Sequence, residues 1–116
     1  MFLQTVFEEG GLLEVRVAKD VLSENLPLFE GELYALTERP GLTLALDFEG
    51  VAQLCSRALG VLAVASWRLQ KNGGSLTVAN LNPNLQRIFR YARLDRSMGM
   101  VESLPAASKS VRAVAA

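Results

Sequence analysis

The run Leu42-Thr43-Leu44-Ala45-Leu46-Asp47-Phe48 is apolar at almost every position. A strand with one wet face alternates apolar and polar residues, whereas an unbroken run fits a central strand covered on both faces. This one segment directs the chain toward a layered α/β architecture.

The flanking segments agree with it. Phe2–Phe7 reads as a weak strand, and Glu8-Glu9-Gly10-Gly11 as a turn. Leu13, Val15 and Val17 alternate with Glu14 and Arg16, which predicts a strand with one wet face and makes the first two segments a hairpin. Ser23 or Asn25 is placed to cap the next helix, with Pro27 tolerated in its first turn. Leu26, Phe29, Leu33 and Leu36 form its apolar stripe, and Arg39-Pro40-Gly41 ends it.

Beyond the central strand the chain loops through Glu49–Leu54, and a second helix runs from near Ser56 to about Lys71. Leu59, Leu62 and Leu69 mark its buried face, Ala58 and Ala65 allow close approach, and Asn72-Gly73-Gly74 closes it. Leu76 and Val78 belong to another strand. Asn82-Pro83 caps a third helix with Leu85, Ile88, Phe89 and Ala92 inside. A short strand at Gly99–Val101 and a last helix from about Leu104 to Arg112 finish the order β-β-α-β-α-β-α-β-α. Single helices between strands imply parallel pairs with right-handed crossovers. The expected fold is α/β, a small sheet of four to five mostly parallel strands with an N-terminal hairpin and flanking helices, in one domain over residues 1–116.

Composition narrows the chemistry. The chain has no histidine, so Ser–His and Cys–His nucleophile pairs and His-ligated metals are out of reach. Its single cysteine, Cys55, forms no internal disulfide, which fits a reducing cytosol. Met1–Gly10 has two acids and no base, unlike an export signal, and the longest apolar run, Ala58–Ala65, is far short of the roughly 20 residues that span a bilayer. A cytoplasmic protein without direct membrane contact is expected. Gly73-Gly74 lacks the spacing of a phosphate-binding loop, and Asp47 and Glu49 have no third group to make them an acid–base pair. No metal, cofactor or catalytic set is expected, and a binding role is favoured over an enzyme.

Charge is unevenly distributed. The formal net charge is zero, yet residues 1–58 hold ten acids and four bases while residues 59–116 hold eight bases and two acids. Such polarity steers partner encounter. Arg87, Arg90, Arg93 and Arg96 recur every three residues, a pattern read either as a solvated helix face or as a docking patch for an acidic protein surface. Zero net charge and the lack of stacking aromatics interleaved on that face argue against direct nucleic-acid binding.

Several spaced segments resemble one family. Leu46-Asp47-Phe48-Glu49-Gly50-Val51, a loop ending at Ser56, the helix start Ala58-Leu59-Gly60-Val61-Leu62, and Lys71-Asn72-Gly73-Gly74-Ser75-Leu76-Thr77-Val78-Ala79-Asn80-Leu81 are similar in order and spacing to a STAS domain, the fold of anti-sigma-factor antagonists. Leu85–Ile88, Leu94-Asp95 and Val101-Glu102-Ser103-Leu104-Pro105-Ala106-Ala107 continue the resemblance, which covers about residues 11–107. In phosphorylatable members the loop after the central strand ends in Asp-Ser-Ser/Thr-Gly, and the serine after the aspartate takes the phosphate. The matching positions here are Cys55-Ser56-Arg57-Ala58, so the resemblance carries over Ser56 alone, as the phosphorylation candidate. It implies a partner that is an anti-sigma factor or serine kinase. Alternatively, a transporter ATPase or other STAS proteins in a stressosome-like scaffold would be the partner, a role for which the altered tip suffices. A homodimer is a further option.

Each candidate has two readings. Ser56 fits an N-cap, and a phosphate there would meet free amides and a favourable dipole. Arg57 is either a solvated cation or a contact for an acidic partner group. Cys55 reads as a small apolar filler or, beside Arg57, a redox-active thiol. Trp67, among small residues, is either partial core or an exposed hot spot. The expected contact surface comprises Cys55, Arg57, Ala58 and Trp67 around Ser56.

Overall fold

The computed structural model describes residues 2–104. Strands β1 (Leu3–Glu9) and β2 (Leu12–Val17) pair antiparallel through a turn in which Gly10 and Gly11 both take positive φ. The first strand begins a residue later than predicted and runs on to Glu9, with a register shift between Thr5 and Phe7. Helix α1 (Leu26–Thr37) leads to β3 (Thr43–Asp47), α2 (Ser56–Lys71) to β4 (Ser75–Ala79), and α3 (Pro83–Tyr91) with a short 3-10 turn (Leu94–Arg96) to β5 (Gly99–Val101). The helix expected from about Leu104 to Arg112 lies outside the described residues.

The five strands form one sheet in the order β1-β2-β3-β4-β5, parallel from β2 onward. The apolar run is its middle strand: Leu44, Ala45, Leu46 and Asp47 are all buried. Leu13, Val15 and Val17 of β2, Leu44 and Leu46 of β3, and Leu76 and Val78 of β4 share one face and meet Phe29 and Leu33 of α1, Leu62 and Leu69 of α2, and Leu85 and Phe89 of α3 in one core. The rings of Phe48 and Phe89 meet edge to face at 6.3 Å there. The opposite face is buried too at its centre, at Ala45, Ala79 and Leu104.

That second face corrects one expectation. Glu14 was predicted to point into water, but it is fully buried, beside Ala45 in the register. Alternation shows that Glu14 and Val15 point to opposite faces; it does not show which faces are wet.

The end of α2 explains the two glycines. Gly74 N–H donates to Leu69 O at 2.7 Å and Gly73 N–H to Gln70 O at 3.1 Å, closing the helix with Gly73 left-handed at φ 83°. A Cβ on Gly74 would lie 1.9 Å from Leu42 O, so only glycine lets the chain pass the start of β3.

Candidate protein-docking site

The loop between β3 and α2 is held from both sides. Cys55 N–H donates to Val21 O at 2.8 Å, Val21 N–H to Gln53 O at 3.2 Å, and Ala52 N–H to the carboxylate of Asp20 at 2.7 Å. On the other flank Asn82 caps α3, its Oδ1 accepting from Leu85 N–H at 2.8 Å while its Nδ2 donates to Val51 O at 3.3 Å. The start of α2 is thus presented on a tethered platform rather than a free loop.

At its root lies Asp47, almost fully buried at the end of β3. Its carboxylate accepts from Asn80 Nδ2 at 2.8 Å, from Glu49 N–H at 3.0 Å and from Arg16 Nε at 3.3 Å. One carboxylate therefore ties together the ends of β2, β3 and β4. Among the described residues no group of three or more cysteines, aspartates or glutamates is placed to hold a metal ion.

Ser56 is not the N-cap. Cys55 takes that position with extended backbone (φ −68°, ψ 157°), and its carbonyl accepts from Ala58 N–H at 3.0 Å. Ser56 is the first helical residue, exposed, and among the described residues its hydroxyl makes no hydrogen bond. The first turn of α2 carries no acid, so its free amides face no fixed negative charge from the turn itself.

The neighbours divide. Arg57 is exposed. Cys55 is half-buried against the core, as the filler reading expects. Ala58 is fully buried, as the close approach expected of it requires, and its side chain is therefore withdrawn from the contact surface where it was also expected. It occupies the family's glycine position within ordinary helix and without positive φ, so alanine is accommodated there.

Trp67 is 59% exposed, with Lys71 Nζ 4.9 Å from its ring centroid. It stands eleven residues after Ser56 on one helix, about 16 Å along the axis and only about 20° away in phase. Between them on the same side lie Gly60 and Val64, both exposed. The structure thus joins Ser56 and Trp67 in a single solvent-facing stripe, Ser56–Gly60–Val64–Trp67. The sequence places both ends in one expected contact surface, but not Gly60 and Val64 between them; the i, i+4, i+8, i+11 spacing is the signal for the stripe.

A second feature was missed. Leu59, predicted to be buried, is only half-buried, and with Ile88, Arg87, Tyr91 and Ala92 it lines a groove of about 280 Å³ between α2 and α3. Ala92, predicted to lie inside, is exposed. The arginine series is not one helical face, because α3 ends at Tyr91 and Arg93 turns left-handed at φ 60°.

An open parallel sheet with its first two strands in a hairpin, and a serine presented at the start of the helix after the central strand, define a protein class. Residues 6–102 match the family model described as "Mlab, STAS domain". The chain belongs to the STAS domain family. No protein of curated function matches it in sequence. Among solved structures it is similar to a Thermotoga maritima protein classed with the anti-sigma factor antagonists (TM-score 0.80, 20% identity, 95% of this chain and 94% of that one). It is also similar to an anti-sigma factor antagonist from Mycobacterium paratuberculosis (TM-score 0.75, 25% identity, 95% and 94%). A third likeness is to the murine solute carrier 26 family member A9 anion transporter (TM-score 0.73, 20% identity), where the match covers 92% of this chain and 18% of the transporter. Among the described residues no helix is long and apolar enough to cross a membrane.

Proposed function

We propose that this chain is a protein-docking switch of the anti-sigma-factor-antagonist kind, a binding module rather than an enzyme. It binds an anti-sigma factor with serine kinase activity in the cytoplasm, and so regulates transcription by freeing a sigma factor. The docking surface is the solvent-facing stripe of α2, from Ser56 with Arg57 beside it to Trp67. Phosphorylation of Ser56 ends docking by adding close to two negative charges and bulk at the head of that stripe. The observation that carries this reading is the unengaged hydroxyl of Ser56 on an exposed first turn. A serine serving as a cap would have its oxygen occupied by a backbone amide; this one is open to a kinase, and its phosphate would meet free amides.

The test is incubation with ATP and the serine kinases of the source cell, with phosphate mapped by mass spectrometry and partner binding measured before and after. Modification at Ser56 with loss of binding supports the switch. Binding without any modification at Ser56 sinks the regulatory half.

A second reading makes the chain a constitutive subunit of a transporter ATPase complex or a stressosome-like assembly. One observation favours it: at Cys55-Ser56-Arg57-Ala58 the acid, second hydroxyl and glycine of the phosphorylatable pattern are all replaced. Co-purification of a transporter ATPase in fixed proportion, with Ser56 unmodified, selects this reading.

A further inference from the structure

From Gly50 to Leu94 the chain contains six bases and no acid. That span covers all of α2 and α3, so no carboxylate is available on either helix to neutralise Arg57, Arg87 or Arg90. All three are exposed, and among the described residues none of them forms an ion pair. Between the helices runs the apolar groove of Leu59, Ile88, Tyr91 and Ala92, with Arg87 in its wall. Tyr91 is 93% exposed, an aromatic left almost wholly in water at the end of a helix. Single exposed hydrophobes are ordinary, but here the tyrosine borders two half-buried aliphatic side chains and the unpaired Arg87, while Arg90 lines a separate pocket with Glu49 and Glu102.

We infer that this groove seats a helix of the partner protein, with apolar residues on one side and acids along its flanks. The inference rests on the docking reading above and gives that partner a chemistry. Alpha3 has nine residues and is therefore about 13 Å long, room for two to three turns of a second helix. Leu59 and Ile88 form the floor, and Tyr91 closes over the bound apolar side chains. Arg87, in the groove wall, meets a flanking carboxylate, charge complementarity that speeds encounter and rejects basic partners. Leu59 lies one turn beyond Ser56 on α2, so an acid or phosphate at Ser56 repels the same partner flank.

A second copy of this chain is the poorer occupant. The acidic candidate within the chain is α1, with Glu30, Glu32 and exposed Leu28. The Glu32 carboxylate is already engaged, accepting from Phe2 N–H at 2.9 Å and Leu3 N–H at 3.0 Å. A contact of α1 with the groove would also be head-to-tail, which builds rings or filaments and not closed pairs.

The test uses the full chain and two synthetic peptides of about four helical turns, with leucines on one side and either glutamates or lysines on the flanks. The glutamate peptide is expected to bind with a preference of about tenfold or more, narrowing as salt is raised, and to shift the amide signals of Leu59, Ile88 and Ala92. Tyr91→Ala is expected to weaken it about tenfold and Arg87→Glu to abolish it. Ser56→Asp weakens it several-fold. Both side chains at 87 and 91 are exposed, and circular dichroism verifies that the variants fold. Equal binding of the lysine peptide, no saturable binding, or shifts elsewhere would overturn the proposal. So would self-association that Arg87→Glu abolishes, or tighter binding of a single-stranded oligonucleotide at the groove. The two readings separate cleanly: phosphate at Ser56 with no peptide binding removes the groove alone, and peptide binding without modification at Ser56 removes the switch alone.

Discussion

Asn80 donates through Nδ2 to Asp47 Oδ1 at 2.8 Å, and does so from a left-handed backbone at φ 58°. The bond joins the end of the central strand to the residue following its neighbour, where the chain turns toward the cap at Asn82. Asparagine meets both demands, since it tolerates positive φ and supplies a donor. Asn80→Gly is expected to cost about 1 kcal/mol, for the lost bond alone, and Asn80→Ala about 2 kcal/mol, because strain is added. Asp47→Ala, which strands several donors at once, should cost about 2–3 kcal/mol. Urea midpoints of the three variants check the ranking.

Two glycines of α2 and its exit should respond in opposite directions. Gly74→Ala drives a Cβ to 1.9 Å from a backbone carbonyl that has no room to move, and is expected to destabilise by about 3 kcal/mol or more. Gly60 is helical and a Cβ there meets nothing within 4 Å, so Gly60→Ala is expected to stabilise by about 0.5–1 kcal/mol. Thermal melts of both variants decide the matter.

Ser56 allows stability and docking to be pulled apart. Because it opens α2, Ser56→Asp places a negative charge at the positive end of the helix dipole and is expected to hold or raise stability by about 0.3–1 kcal/mol. The same substitution is expected to weaken partner binding. A variant that both unfolds more easily and binds less well would show that the serine acts structurally. Calorimetry paired with a binding assay reads both quantities.

Burial raises the pKa of the Tyr34 phenol, helped by Glu30 and partly opposed by Arg68, whose guanidinium lies 4.2 Å from the ring centroid. The folded state therefore holds this proton more tightly than the unfolded chain does. Its contribution is complete below the unfolded phenol value of about 10 and is lost as pH rises through the higher folded value. Denaturant midpoints are expected to fall more between about pH 9 and pH 11 for the natural chain than for Tyr34→Phe.

The residues that announced the fold were those whose burial is dictated locally. Leu44 and Leu46 have no polar alternative to a covered strand, Asn82-Pro83 is a cap on its own terms, and Gly73-Gly74 closes a helix wherever it stands. Glu14, Ser56, Ala58 and Leu59 were misjudged because their surroundings come from elsewhere in the chain. Glu14 depends on what covers the second sheet face. Ser56 moved one position into the helix because Val21, hydrogen-bonded to Cys55, fixes where the extended backbone ends. Ala58 and Leu59 are consecutive, and which of them faces the core follows from how α2 is rotated against its neighbours, a quantity a stripe of small residues leaves open. Trp67, read as either partial core or exposed, is exposed, and its alignment with Ser56 follows from the phase of the continuous helix between them.

The strand order also bears on how such a chain is made. Every strand lies beside the one translated just before it, so none has to be inserted between two that are already joined. The hairpin can form first, and each later crossover adds one strand at a growing margin while the ribosome is still delivering the next. Unpaired backbone is thus confined at each moment to two rims, the outer edge of β1 and the newest strand.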